Sequence, residues 1–332
     1  MTTTRAALIG CGNMGRGHAL LAPKLGIELV ALCDNVDAAA QRLQQEIGVG
    51  AVTNVERVME NDGIELVIIA THHDAHHPLA LAAAAAGKHI LVEKPLCLRY
   101  EQAVEVAEAV EQAGVKLVIN CKFRINPTVQ KVRQLLPRPR ISHGQLAMDT
   151  TGASRPRGGW IWHPDDGGGL LISTAVHTVD LLAYVMNSRA ERVYAEGRVF
   201  GDDKGETGSP DGLTGTIAWE GGGISTVISC DQGFSPPLGK WFCNFMDGER
   251  TATLTDHVNR ADFGGCELDY LDATELPEQE LVQHTMLANL LAAIRTGGDT
   301  LCDARAGAHA VAICNALEES ARTGTPVDVR RD

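Results

Sequence analysis

Residues 7–18 read Ala-Leu-Ile-Gly-Cys-Gly-Asn-Met-Gly-Arg-Gly-His and place Gly10, Gly12 and Gly15 in GxGxxG spacing. The run Arg5–Ile9 ahead of them predicts a strand, and the residues behind them predict a helix. In that setting the glycines do different things: Gly10 permits a tight turn, Gly12 lets the backbone approach a pyrophosphate, and Gly15 lets helix and strand pack closely. The N–H groups at the helix start would then face the phosphates. The stretch therefore predicts a doubly wound, parallel Rossmann sheet that binds a dinucleotide.

Working outward, Glu28–Cys33, Glu65–Ala70, His89–Val92 and Val115–Ile119 continue the series of short apolar strands. Val36–Ile47, Asn54–Asn61, His76–Ala86 and Tyr100–Ala113 alternate with them as helices, the rhythm of βα units on a parallel sheet. Gly87 and Gly114 stand where helix C-caps are expected. The second strand ends at Asp34, 19 residues beyond Gly15, where a carboxylate accepts hydrogen bonds from an adenine ribose. That favours NAD. The 2′-phosphate of NADP would meet a negative charge, and Asn35-Val36 brings no cation to offset it.

After Asn120 the texture changes. Pro127, Pro137 and Pro139 break the chain ahead of the strand-like segments Gly144–Asp149, Arg192–Arg198, Leu213–Trp219 and Gly223–Ser229. Val282–Arg295 and Ala304–Thr323 return to helical periodicity. For 332 residues two domains are the natural division. The reading is α/β: a Rossmann domain over 1–122, then an α+β domain over 123–332 with a large, mostly antiparallel sheet, the active site expected between them.

With 42 acidic and 29 basic side chains the net charge is −13, which repels nucleic acid and anionic lipid surfaces. Nine cysteines at irregular spacing, without a CxxC pair, read as reduced thiols and not as a zinc site or a disulfide framework. The first residues carry no signal-peptide run, and no long apolar stretch follows. The expectation is a soluble, cytoplasmic protein with a small-molecule substrate.

Chemistry is expected at two places. Glu93-Lys94-Pro95 follows the fourth strand at the carboxyl edge of the sheet, where an ammonium group beside a nicotinamide would stabilise the alkoxide formed as hydride leaves. In Gly167–Asp180, His177 and Asp180 lie three apart on one helix face, with His177 as proton acceptor and Asp180 to orient it or bind substrate hydroxyls. Arg155-Pro-Arg-Gly-Gly-Trp160-Ile-Trp162-His163 suits a sugar-stacking loop or an ordinary surface loop with packed tryptophans. The histidine-rich run His72–His77 reads as a loop against the cofactor, and no metal site is expected.

These stretches together resemble the sugar and inositol dehydrogenases of the glucose–fructose oxidoreductase, inositol dehydrogenase and rhizopine-catabolism (Gfo/Idh/MocA) group. The resemblance rests on Gly10-Cys-Gly-Asn-Met-Gly, Ala70-Thr71 followed by His76, Glu93-Lys-Pro, Arg124-Ile-Asn-Pro, Gly167–Asp180 and the closing Ser320-Ala-Arg-Thr-Gly-Thr-Pro-Val. It implies that Lys94 and His177 are the catalytic lysine and histidine. Cofactor contacts would fall at Gly10, Cys11, Gly12, Asn13, Met14, Gly15, Asp34, Asn35, Thr71, His76, Glu93 and Lys94. Substrate contacts would fall at Lys122, Trp160, Trp162, His163, Ser173 and Asp180. The implied activity is NAD(H)-dependent hydride transfer at a secondary hydroxyl or ketone of a sugar or cyclitol, in a dimer or tetramer assembled through the open sheet.

One departure stands out. The family's usual Asp-x-Gly-x-His-x-x-Asp is here Ser173-Thr-Ala175-Val-His177-Thr-Val-Asp180, so the first acidic residue is missing. A redox-neutral, NAD-dependent elimination or glycoside cleavage is the alternative this suggests, and a catalytically silent sensor of sugar and NAD is a third. Lys122 stands where a neutral polar residue is common and favours an anionic or keto substrate.

Overall fold

The computed structural model describes residues 3–48, 50–148, 159–200, 209–231 and 239–331. Asp149, at the end of one predicted strand, and Arg155 and Arg157, the cations of the predicted sugar loop, lie outside the described residues. In chain order the elements are β1 (Thr4–Ile9), α1 (Asn13–Leu21), β2 (Ile27–Cys33), α2 (Asp37–Ile47), β3 (Ala51–Val52), α3 (Val55–Glu60), β4 (Leu66–Ile69), α4 (His76–Ala85), β5 (His89–Val92), α5 (Tyr100–Ala113) and β6 (Leu117–Ile119). There follow α6 (Pro127–Leu135), β7 (Ile141–Ala147), α7 (Val176–Met186), β8 (Ala190–Arg198), β9 (Gly212–Trp219), β10 (Ile224–Cys230), β11 (Trp241–Met246), β12 (Thr251–Thr255), β13 (Arg260–Gly264) and β14 (Tyr270–Asp272). The chain closes with α8 (Glu278–Gln283), α9 (Met286–Thr296), α10 (Ala304–Thr323) and β15 (Val327–Asp328).

Two compact units result. The first comprises 1–97, 101–120 and 278–306, and the second comprises 98–100, 121–277 and 307–332. The single boundary after residue 122 is thereby corrected, because 278–306 returns to the first unit. Hydrogen bonding explains the return: Ile119 N–H donates to Cys302 O at 2.9 Å, and Thr300 Oγ1 donates to Leu117 O at 2.6 Å. Leu287, Leu290 and Leu291 of α9 are buried as well. The helix predicted over 282–295 divides at Thr285, whose hydroxyl accepts from Ala288 N–H and starts α9 afresh.

The first unit is built on six parallel strands in the order β3-β2-β1-β4-β5-β6. Leu66, Val67, Ile68 and Ile69 are each wholly buried, as expected of a parallel strand covered on both faces. Each such side chain contributes about 1.5–3 kcal/mol through burial. Chain order reverses between β1 and β4, so the glycine-rich turn after β1 sits at the switch point where such sheets bind ligands.

In the second unit nine strands run in the order β14-β13-β12-β11-β7-β10-β9-β8-β15. They pair antiparallel except at β7 and β10, which are parallel. Helix α7 packs on β7 at Gly144, where a Cβ would come within 2.6 Å of Thr178 Cγ2. Ile141, Tyr194 and Ile224, by contrast, are exposed.

Candidate functional site

The turn between β1 and α1 is shaped by close approaches that a side chain would block. Gly10 has φ +95°, and a Cβ there would lie 2.3 Å from Ala70 O; at Gly15 it would lie 1.9 Å from Gly10 O. At Gly12 nothing stands within 4 Å, which leaves the backbone open to a ligand. Gly12, Asn13 and Met14 are exposed, whereas Cys11 and Gly15 turn inward. Helix α1 begins with no side-chain cap, so its first N–H groups keep their donor capacity.

Asp34, at the end of β2, ties this turn to the sheet. Its Oδ2 accepts from Cys11 N–H at 2.7 Å and its Oδ1 from Val36 N–H at 2.8 Å. Each carboxylate oxygen retains acceptor capacity beyond these bonds. Burial and the neighbouring Asp34 charge push the Cys11 thiol up to about 12, so it stays neutral and contributes through its backbone. Asn35 is exposed beside Asp34, and half-buried Thr71 donates its hydroxyl to His72 O at 3.1 Å. The open backbone at Gly12, the helix start and a carboxylate at the second strand end fit a dinucleotide with an unphosphorylated adenine ribose.

Lys94 is half-buried and carried by a turn fixed on both sides. On one side Glu93 is buried, and its Oε1 accepts from His18 Nε2 at 2.8 Å and from Asn120 Nδ2 at 2.7 Å. Burial alone would raise the Glu93 carboxyl; the His18 hydrogen bond and charge, Lys94 and Asn120 outweigh it and hold the group below its ordinary value. On the other side His76 Nδ1 donates to Pro95 O at 2.7 Å, across a cis Lys94–Pro95 bond. Burial lowers the His76 imidazole, which is therefore neutral. Glu93 and His76, expected as cofactor contacts, are buried and support the Lys94 turn. His18 and Asn120 were missed; His18 closes the quoted fingerprint, but nothing in the sequence pairs it with Glu93.

In the second unit a wide π-type turn, Leu171–Ala175, leads into α7. Such turns recur at functional sites. Ser173 is buried in it at 1% exposure, with Oγ 3.3 Å from Thr174 Oγ1, and His177 follows at 8%. Asp180, one helical turn on, makes a bidentate ion pair with Arg124 at 2.7–3.1 Å, both side chains buried. Its carboxylate is engaged by the guanidinium. The pairing of Arg124 with Asp180 across 56 residues carries no sequence signal.

The tryptophans of the predicted loop part company. Trp160 is half-buried and His163 exposed, but Trp162 is a core residue at 1% exposure and is no stacking platform. The glycine run allows a close approach to the chain itself, since a Cβ at Gly167 would lie 2.3 Å from Ile161 Cα. Lys122 is exposed. The histidine run is not a continuous helix: His73–Ala75 form a 3₁₀ turn before α4, and His77 bonds Glu105 at 2.8 Å. Among the described residues no three-ligand cluster includes these histidines.

Comparison with known proteins follows the same division. Residues 4–121 match the oxidoreductase family described by its NAD-binding Rossmann fold, and residues 130–236 match the GFO/IDH/MocA C-terminal domain. A 1,5-anhydro-D-fructose reductase of Ensifer adhaerens is 30% identical over 226 residues, 67% of each chain. The scyllo-inositol 2-dehydrogenase (NAD(+)) of Bacillus subtilis (strain 168) is 28% identical over 204 residues, 59% of this chain and 57% of that one. A levoglucosan dehydrogenase solved with NADH shares the fold with a TM-score of 0.90 at 18% identity, covering 100% of both chains.

Proposed function

From the premise that the chain belongs to the GFO/IDH/MocA oxidoreductase family, with an NAD-binding Rossmann fold, we propose that it transfers hydride between NAD and a secondary hydroxyl of a sugar or cyclitol. The observation that carries this reading is the fixed turn that holds Lys94 at the carboxyl edge of the parallel sheet. Sugar and inositol substrates of the relatives support the substrate class.

NAD, when bound, supplies the hydride acceptor. Gly12, Asn13 and Met14 would hold its phosphates through backbone N–H groups, and Asp34 its ribose. The Lys94 ammonium hydrogen-bonds the reacting hydroxyl and stabilises the developing alkoxide. His177 takes the hydroxyl proton, as the group of the second unit suited to do so near neutral pH. Asp180 acts as a positioning group: its ion pair with Arg124 anchors the α7 face that carries His177. Ser173 holds no charge at neutral pH, so the proton rests with Lys94 and His177.

The named relatives are reductases and dehydrogenases, which supports net redox chemistry over the redox-neutral alternative. Stoichiometry tests the choice: one NADH should appear per ketone formed, and bond cleavage with catalytic NAD and no accumulating NADH would overturn the reading. All nine cysteines are free thiols, which supports a reducing, cytoplasmic setting. No described helix is long and apolar enough to cross a membrane. The exposed Ile141, Tyr194 and Ile224, which line a shallow hollow of about 610 Å³, support assembly through this sheet, and light scattering that gives a monomer mass would contradict it.

A further inference from the structure

Around His177 the second unit gathers rings and cations that the reading above does not use. The Phe123 and His177 ring centroids lie 5.1 Å apart, and the Trp241 indole stands edge-on to Phe123 at 5.1 Å and to His177 at 6.0 Å. The His257 ring centroid lies 5.3 Å from that of the indole. Two ammonium groups approach the same ring: Lys240 Nζ is 4.4 Å and Lys122 Nζ 5.8 Å from its centroid, and Lys122 is also 5.7 Å from that of Phe123.

Trp241 is 7% exposed, yet its buried Nε1–H has no hydrogen-bond partner among the described residues. An indole nitrogen can only donate, so this position calls for an acceptor. The exposed Lys122 brings donors and positive charge to the same rings. A buried donor beside an ammonium group is the complement of an anion.

We propose that this cluster binds a carboxylate, so that the substrate is an acidic sugar or cyclitol whose carboxylate is held by Trp241 Nε1–H and Lys122 beside His177. The inference rests on the dehydrogenase reading and narrows its substrate class. Lys122 and Trp241 are specificity residues in it: they select the acid and take no part in hydride transfer.

Calorimetric titration of the NADH-loaded protein tests this without turnover, using D-glucuronate against D-glucose and D-gluconate against D-glucitol. The acid of at least one pair should bind roughly tenfold or more tightly than its neutral partner. Raising the salt concentration should narrow that gap, because the contact is ionic and partly exposed. Lys122→Gln should collapse it, and Trp241→Phe, which keeps the ring and removes the donor, should reduce it by a smaller factor. Neutral members binding as well as the acids in both pairs would overturn the inference, as would a gap that survives both substitutions. Acid binding in a protein that never reduces NAD would sink the dehydrogenase reading and leave this one standing. Oxidation of neutral polyols alone would do the reverse.

Discussion

In the first unit Gly10, Gly12 and Gly15 shape a turn whose backbone is open at Gly12, while in the second the side chains of His177 and Trp241 are brought together by α7 and β11. The difference teaches where specificity is free to change. A turn in which a Cβ would sit 1.9 Å from a carbonyl tolerates little variation. A cluster drawn from α7, β11 and the segment before α6 can be re-dressed residue by residue while the sheet beneath it stays the same.

The sharpest test of this contrast is Lys94→Met, which should lower turnover by roughly 10²–10⁴ while NAD affinity, measured by titration, stays within a few-fold. Equal losses of both would place Lys94 in the nucleotide cradle instead. In the second unit, Arg124→Ala should destabilise by about 3–5 kcal/mol in a denaturant melt, since it strands the buried Asp180 carboxylate. A near-neutral result would mean that the pair does not anchor α7.

Acid should loosen the second unit through His309. Its Nε2 accepts from Ala190 N–H at 3.0 Å, and burial, with the positive Arg189 and Arg124 nearby, lowers its pKa from 6.5 to about 4. Between those values the unfolded chain binds a proton that the folded chain refuses, so unfolding is favoured as pH falls. The stability in question is present in full above 6.5 and lost as pH drops to about 4, at most about 3 kcal/mol. His309→Gln should flatten that slope, and an unchanged slope would contradict the assignment.

The glycines separate packing from binding. Gly15→Ala should cost about 1–3 kcal/mol of stability or more, because the new methyl meets the Gly10 carbonyl. Gly12→Ala, with nothing within 4 Å, should leave the melt unchanged and weaken NAD binding. The smallest effect is expected at Asp34→Asn, which removes the charge, keeps an acceptor for only one of Cys11 and Val36, and should narrow the preference for NAD over NADP by roughly tenfold.

Sequence reading reached furthest where contacts are local. β5 and α5 fell on their predicted residues, and the turn after β1 has the glycine geometry its spacing implied. It fell short where a residue's environment depends on distant chain. Trp162 looked like a sugar platform because aromatics beside cations read alike whether they are packed or exposed. That His76 and Glu93 are buried against Pro95 and Asn120 is invisible in a linear motif. The return of 278–306 to the first unit depends on backbone hydrogen bonds such as Ile119 to Cys302, which no periodicity announces. Trp241 and His257 went unremarked for the same reason.

The most direct measurement is the initial rate of NADH formation, followed by its near-ultraviolet absorbance, with NAD and separately NADP against inositols, hexoses, aminosugars and sugar acids. Hydride transfer from a sugar or cyclitol predicts NADH with at least one class, faster with NAD than with NADP. Nucleotide that binds tightly yet is reduced by no member of the panel would contradict it.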